Sequence, residues 1–212
     1  MDIVLLGPPG VGKGTQGDLL ARRLGIPKFA TGDVLRAARR EGTPLGRQAQ
    51  AAMDRGDLVP DSVILGILKE ALAAPDARNG AILDGAVRTI PQAEGVDRVL
   101  RELGRRVDVV LLLEADETEL VRRLSGRTTC DSCQTPQTGL EPGARCPRCG
   151  GTLVRRPDDE PDAVRNRLRV YRDQTAPVIA WYESHGGRVR PVDAAGTVDE
   201  VTARIVDALN EA

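Results

Sequence analysis

At 212 residues the chain is long enough for one full-sized domain, or one domain carrying small insertions, with a sizeable buried core. Thirty basic residues against thirty-one acidic ones give a formal charge of -1 with both signs interspersed, which argues against a general polycation for nucleic acid or membrane surfaces. Hydrophobic residues make up 41 %, as in a globular protein, and no stretch approaches the roughly 18 apolar residues of a membrane span.

In chain order, residues 3–6 form a short apolar run ending in glycine and proline, and residues 12–24 place Leu19, Leu20 and Leu24 at helical spacing. This predicts strand, glycine-rich turn, helix. The first residues lack the basic n-region of a signal peptide, so a cytoplasmic location is expected. Residues 31–58 are helical in pattern, rich in Arg, Ala and Gly, and no strand follows them, so a helical insertion is expected there. Apolar runs at 81–83, 107–113 and 189–192 read as strands, and helical patterns cover 61–73, 89–103, 118–124, 162–183 and 198–209. Strands alternating with helices imply a parallel sheet covered on both faces. Residues 126–161 break the alternation: they hold all four cysteines and five of the fourteen prolines, which suggests a small stapled subdomain.

Gly7-Pro8-Pro9-Gly10-Val11-Gly12-Lys13-Gly14-Thr15 follows the first strand and opens the first helix, the context of a phosphate-binding loop. Glycines let backbone N–H groups converge on phosphate oxygens, the helix N-terminus adds positive potential, and Lys13 supplies a point charge. Lysine occurs only at 13, 28 and 69, so its presence at the required place is informative. The residue after Lys13 is Gly14 where the general pattern has Ser or Thr, with Thr15 one place later.

That Gly-Lys-Gly-Thr ending, running on to Gln16, resembles the nucleoside monophosphate kinases and specifically the adenylate kinases. Further similarities recur in order at Thr31-Gly32-Asp33 with Arg36, Asp57-Leu58-Val59, Asp84-Gly85 with Arg88 and Gln92, Gly126-Arg127, Arg156-Pro157-Asp158-Asp159, Arg165 with Arg167, and Gln174-Thr175-Ala176-Pro177. The resemblance implies a three-layer α/β fold of the P-loop NTPase type, with a parallel sheet and helices on both faces. It implies a core of residues 1–29, 60–125 and 163–212, a nucleoside-monophosphate-binding insertion at 30–59 and a lid at 126–162. It also implies that Gly10, Val11, Gly12, Lys13, Gly14, Thr15, Arg123, Arg127 and Gly196 hold ATP. Thr31, Arg36, Asp57, Leu58, Val59, Gly85, Arg88, Gln92, Arg156 and Arg167 would hold AMP, and Asp158 and Asp159 would take part in lid closure. Lys13, Asp84, Arg88, Arg127, Arg156 and Arg167 would surround the transferring group, with magnesium accompanying ATP.

The sequence departs from the family at Ala86-Val87, where the family has Phe-Pro with a cis proline, and at Ala194, where glycine is usual. A non-proline cis bond costs roughly 2.5 to 4 kcal/mol, so a trans bond before Val87 and a reshaped loop presenting Arg88 are expected.

Cys130-x2-Cys133 and Cys146-x2-Cys149, twelve residues apart, have the form of two metal knuckles flanked by the turn residues Pro147 and Gly150-Gly151. Four thiolates would close a tetrahedral structural zinc site with no open position. Two disulfides, iron, or unligated thiols are the alternatives, disulfides being disfavoured in a reducing cytoplasm. The function expected is reversible phosphoryl transfer from MgATP to AMP, giving two ADP, in a monomer that binds neither nucleic acid nor membrane. A kinase for another nucleoside monophosphate, and a non-catalytic nucleotide-binding zinc-ribbon protein, are the competing readings. The only histidine, His185, is expected at a helix end, with no general base needed because an AMP phosphate, with a second pKa near 6, is already an anion at pH 7.

Overall fold

The computed structural model describes residues 1–210. Five strands form one all-parallel sheet: β1 (Asp2–Leu6), β2 (Lys28–Ala30), β3 (Ala81–Asp84), β4 (Val109–Glu114) and, reached after residues 126–162, a fifth strand (Val189–Asp193). β1 is buried along its whole length and β4 along all but Glu114, as expected of strands covered on both faces. Their order is β2-β3-β1-β4-fifth strand, so β1 sits at the centre and the connections leave it in both directions. Ligands bind outside the carboxyl ends of strands at such a switch point.

Helices α1 (Lys13–Leu24), α2 (Thr31–Arg40), α3 (Pro44–Arg55), α4 (Asp61–Ala73), α5 (Ile90–Glu102), α6 (Glu117–Ser125), α7 (Pro161–Val170), α8 (Pro177–Ser184) and α9 (Val198–Asn210) complete the framework. One apolar layer gathers Val4, Leu83, Val110, Leu68 and Val96 on one face of the sheet, and the other gathers Ile3, Leu5, Leu111, Leu20 and Ile205 on the opposite face. Alternate residues of β1 therefore feed the two layers, the period-2 consequence of strand geometry.

Two departures from the sequence expectation have clear causes. β2 is an unpredicted three-residue edge strand of half-buried residues, too short to show a period. The pattern over 162–183 is not one helix: a π-helical segment, Tyr171–Thr175, separates α7 from α8. One extra residue per turn leaves an apolar periodicity readable across the break, and such segments collect at functional sites.

The helical pattern expected at 31–58 is present as α2 and α3. Thr43 caps α3, its Oγ1 accepting from the Gly46 N–H at 3.1 Å, with Pro44 at the first helical position. Gly46 lies so close to the end of α2 that a Cβ there would fall inside van der Waals contact of the Ala38 carbonyl. Gly46→Ala is therefore expected to destabilise the protein by about 1–3 kcal/mol, seen as a lowered Tm in thermal denaturation.

Within 126–162 three further strands form a small antiparallel sheet. Taking the eight strands of the described residues in chain order, β5 (Arg127–Cys130), β6 (Pro136–Thr138) and β7 (Leu153–Val154) make this sheet in the order β6-β5-β7, and the fifth strand of the parallel sheet is β8. Its buried apolar cluster is only Cys130, Cys146 and Leu153, with Cys133 and Ala144 against it. No helix of the described residues is long and apolar enough to cross a membrane.

Candidate functional site

The loop after β1 makes its turn with Gly7, Gly10 and Gly12 at φ of 137°, 85° and 109°. Side chains do not fit: a Cβ on Gly10 would lie 2.8 Å from Leu124 Cγ, and one on Gly7 would meet the Leu113 carbonyl. Helix α1 begins at Lys13, so its free N–H groups face the loop. Lys13 folds back across the loop, Nζ donating to the Gly7 and Pro8 carbonyls at 2.6 and 2.9 Å. Asp84 ends β3 beside the first turn of α1, its Oδ2 3.6 Å from where a Cβ on Gly14 would stand.

A cleft of about 810 Å³ runs along this loop, and its walls carry Asp84, Arg88, Arg123, Arg127, Arg156, Arg167 and Gly196. Arg123, from α6, reaches the loop itself, donating to Val11 O at 3.3 Å and to Ala194 O at 2.9 Å. A slot of about 70 Å³ adjoins the cleft, its lining including Thr31, Arg36, Asp57, Leu58, Val59, Gly85, Arg88, Gln92, Asp158 and Arg167. The two cavities share Gly32, Arg36, Gly56, Leu58, Gly85, Arg88 and Arg167. The residues singled out from the sequence on both sides of the chain are thus brought to one place.

The loop 85–88 is built without proline. Among the described residues no peptide bond is cis, so the bond before Val87 is trans. Ala86 and Val87 turn into the core at 0 % and 1 % exposure. Thr31 Oγ1 donates to Gly85 O at 2.8 Å, the Arg88 N–H donates to Gln92 Oε1 at 2.8 Å, and Thr175 Oγ1 donates to Arg88 O at 2.9 Å. Arg88 Nε closes the turn on Gly85 O at 2.9 Å. Thr175 reaches this carbonyl from the π-helical segment, and its part was not legible in the sequence beyond its membership of Gln174-Thr175-Ala176-Pro177.

Cations crowd the junction of cleft and slot. Burial, with Arg167 and Arg36 nearby, lowers the Arg88 pKa to about 10, and burial with Arg36 and Arg127 lowers that of Arg156 to about 9. Both remain charged at neutral pH. Burial raises the Asp84 carboxyl above the usual carboxylate range, opposed by Lys13 and Lys28. Asp159, fully buried, takes Arg127 Nε at 2.7 Å and Arg167 Nη1 at 2.9 Å, and Asp158 takes Arg167 Nη1 at 3.1 Å. Burial pushes Asp158 up, but Arg167, Arg36, Arg156 and Arg127 outweigh it and hold its carboxyl below the usual range. These acids do not cap α7 with their side chains; they hold two guanidiniums side by side. Asp57 is held low by Asn166 and Arg55, the Asn166 amide donating to it at 2.8 Å.

Lys13 is the group poised to titrate: burial, reinforced by Arg88, Arg167 and Arg127 and opposed by Asp84, lowers its pKa to about 7. An incoming polyphosphate favours the ammonium and raises that pKa, so binding takes up protons at pH values just above 7. Calorimetry with a nucleoside triphosphate as the titrant at pH 8, in buffers of different ionisation enthalpy, is expected to show net proton uptake, and Lys13→Met to abolish it.

In the small sheet the four thiols lie within 4.8 Å of one another, with Cys130 Sγ 3.4 Å from Cys149 Sγ and Cys133 Sγ 3.7 Å from Cys146 Sγ. None is in a disulfide. Tetrahedral Zn–S bonds of about 2.3 Å put sulfurs ~3.8 Å apart, so the cluster fits zinc. The Cys133 N–H points at Cys130 Sγ, 3.5 Å away, as a knuckle requires. His185 closes α8, stacks on Trp181 at 4.4 Å, and lines neither cavity.

A cationic cleft at the carboxyl end of a parallel sheet, walled by a phosphate loop, places the protein in the P-loop class of nucleotide-binding folds. Residues 5–187 match the family described as adenylate kinase. The chain is 66 % identical over 211 residues, covering 99 % of both chains, to a protein of Gemmatimonas aurantiaca named adenylate kinase. Proteins of the same name from Acidothermus cellulolyticus and Salinispora tropica are 49 % and 46 % identical, covering 99 % of this chain and 98 % of each of theirs. The chain belongs to the adenylate kinase family.

Proposed function

We propose that the protein passes the γ-phosphoryl group of MgATP to the phosphate of AMP, reversibly, giving two ADP. The observation that carries this reading is the sharing of Arg88 and Arg167 between a loop-walled cleft and an adjoining slot, which would let two nucleotides meet phosphate to phosphate. Repulsion between two phosphate chains is the dominant obstacle to such a meeting, and fixed cations offset it.

In this reading Gly10, Val11, Gly12, Lys13, Gly14 and Thr15 hold the triphosphate, with Arg123 and Gly196 beside the ATP base. Thr31, Arg36, Asp57, Leu58, Val59, Gly85, Arg88 and Gln92 hold AMP. Arg127, Arg156 and Arg167 bridge the two, their planar forks matching phosphoryl oxygens in pairs. The acceptor phosphate is an anion at pH 7 because its second pKa is near 6, so its oxygen attacks without a general base. Residues 126–162 act as a lid and residues 30–59 as an acceptor-side insertion on the core 1–29, 60–125 and 163–212. Their closure excludes water that would otherwise take the phosphoryl group.

Asp84 and Thr15 both line the cleft and offer hard oxygen donors, so they would hold magnesium there, and the ion would supply neutralisation of phosphate charge. Cys130, Cys133, Cys146 and Cys149 would hold a structural zinc. A cytoplasmic monomer accompanies this reading.

Protein mixed with MgATP and AMP is expected to form two ADP per AMP consumed, and none without magnesium. ATP binding without ADP formation, or faster turnover of GMP, CMP or UMP than of AMP, would point to another acceptor. That second reading draws on one observation, the loss of an aromatic wall at Ala86-Val87.

A further inference from the structure

Gln92 is 1 % exposed, and both ends of its amide are already engaged. Its Nε2 donates to Asp61 Oδ1 at 2.7 Å, and its Oε1 accepts from the Arg88 N–H at 2.8 Å. The same Asp61 oxygen accepts from Thr89 Oγ1 at 3.1 Å, while that hydroxyl accepts from the Gln92 N–H at 3.2 Å. Asp61 is the first residue of α4, directly after Val59-Pro60, and Thr89 precedes α5, so the network ties the starts of two helices to one side chain.

An ionised carboxylate only accepts, and a backbone N–H only donates. Turning the amide over would set Oε1 against a carboxylate oxygen and Nε2 against an N–H, losing two hydrogen bonds and gaining two contacts of like polarity. The amide therefore has one orientation. Each of its ends keeps a spare function, because Nε2 carries a second N–H and Oε1 a second lone pair, and the side chain lines the slot.

We infer that Asp61 is a positioning residue for acceptor-base specificity, holding Gln92 so that it offers the slot a donor and an acceptor in one fixed order. That order complements a base edge bearing a ring-nitrogen acceptor beside an exocyclic amine, as in adenine. It opposes a 6-oxopurine, whose edge has a protonated ring nitrogen beside a carbonyl. An untethered glutamine amide can rotate to serve either edge, so the discrimination resides in the two contacts that oppose rotation, the Asp61 carboxylate and the Arg88 N–H, of which only the carboxylate is a side chain. The inference rests on the reading of the slot as the acceptor-base site.

The test compares kcat/KM for AMP and for IMP, which differ at the C6 substituent and the N1 proton, in the whole protein with MgATP. Asp61→Asn keeps the shape but offers either polarity, so it removes one of the two contacts that oppose the turned-over amide and leaves only the Arg88 N–H. The expected result is an AMP/IMP preference narrowed by about tenfold or more, with the change in KM for the acceptor and not in kcat for AMP. Asp61→Glu, which restores an acceptor-only group, is expected to recover part of the preference. Tm and the KM for ATP, measured in both variants, monitor the ordinary contribution of an acidic residue to the first turn of α4. Equal losses with AMP and IMP at an unchanged ratio would overturn the inference and leave Asp61 a helix-end residue. Wild-type protein that makes no ADP from AMP would instead overturn the functional reading on which it rests.

Discussion

Arg88→Ala is expected to lower kcat for ADP formation by about 10³-fold or more while leaving Tm unchanged or slightly raised. The magnitude is that of a cation acting directly on a transferring phosphoryl group, where single arginines contribute about 10³ to 10⁵. The stability side follows from the surroundings of the side chain. Burial and the neighbouring Arg167 depress its pKa to about 10, so the folded protein holds this charge against a net cost. Deleting the guanidinium relieves that repulsion and loses one hydrogen bond, from Nε to Gly85 O. The turn survives on the bonds from Thr31, Thr175 and the Arg88 backbone N–H to Gln92, none of which involves the deleted atoms. Arg88→Lys is expected to recover little, because a point charge cannot bond two phosphoryl oxygens in one plane. A loss of less than tenfold in kcat would place the arginine outside the reacting centre.

Removal of metal from the four-cysteine cluster is expected to melt residues 126–162 and leave the remainder folded. Three buried residues, two of them prospective ligands, are the whole apolar core of that sheet. So little buried surface cannot offset the conformational entropy of ordering the segment, and a metal held by the four thiolates would supply the difference. Structural zinc contributes about 10–16 kcal/mol in small finger peptides, ample for this purpose. Calorimetry after strong chelation should show a separate early transition ahead of core unfolding, and ADP formation should fall by at least ~10² because Arg127 and Arg156 lose their support. Cys133→Ser is expected to give the same pair of effects with no chelator present. A single transition at an unchanged midpoint would show that the sheet stands without metal.

How far the sequence was legible varied with the length and regularity of each signal. The strand, turn and helix at 2–24 could be read because glycines, a rare lysine and an apolar run fell together. The four cysteines were equally plain, since thiol spacing is short-range. β2 could not be read: three half-buried residues on an edge carry no period. The three-stranded sheet around the cysteines was hidden because its strands are mostly polar, with Leu153 the one fully buried leucine. The π-helical segment was masked by a helical pattern that persists through it, although Pro177 marked the restart of α8. Asp61 and Thr175 were missed as parts of the site because each acts by holding a residue 31 or 87 positions away in the chain.

Local chemistry alone determined the phosphate loop, the thiol cluster, the alternation of strands and helices, and the resemblance that named the family. Those features are set by residues close together in sequence, where spacing fixes geometry. Tertiary structure decided how Arg88 is presented without a proline, which carboxylates gather Arg127 and Arg167, and which way the Gln92 amide faces. Each depends on a hydrogen bond or ion pair between segments far apart in the chain, and such pairings exist only once packing of the sheet and its two apolar layers has brought the segments together.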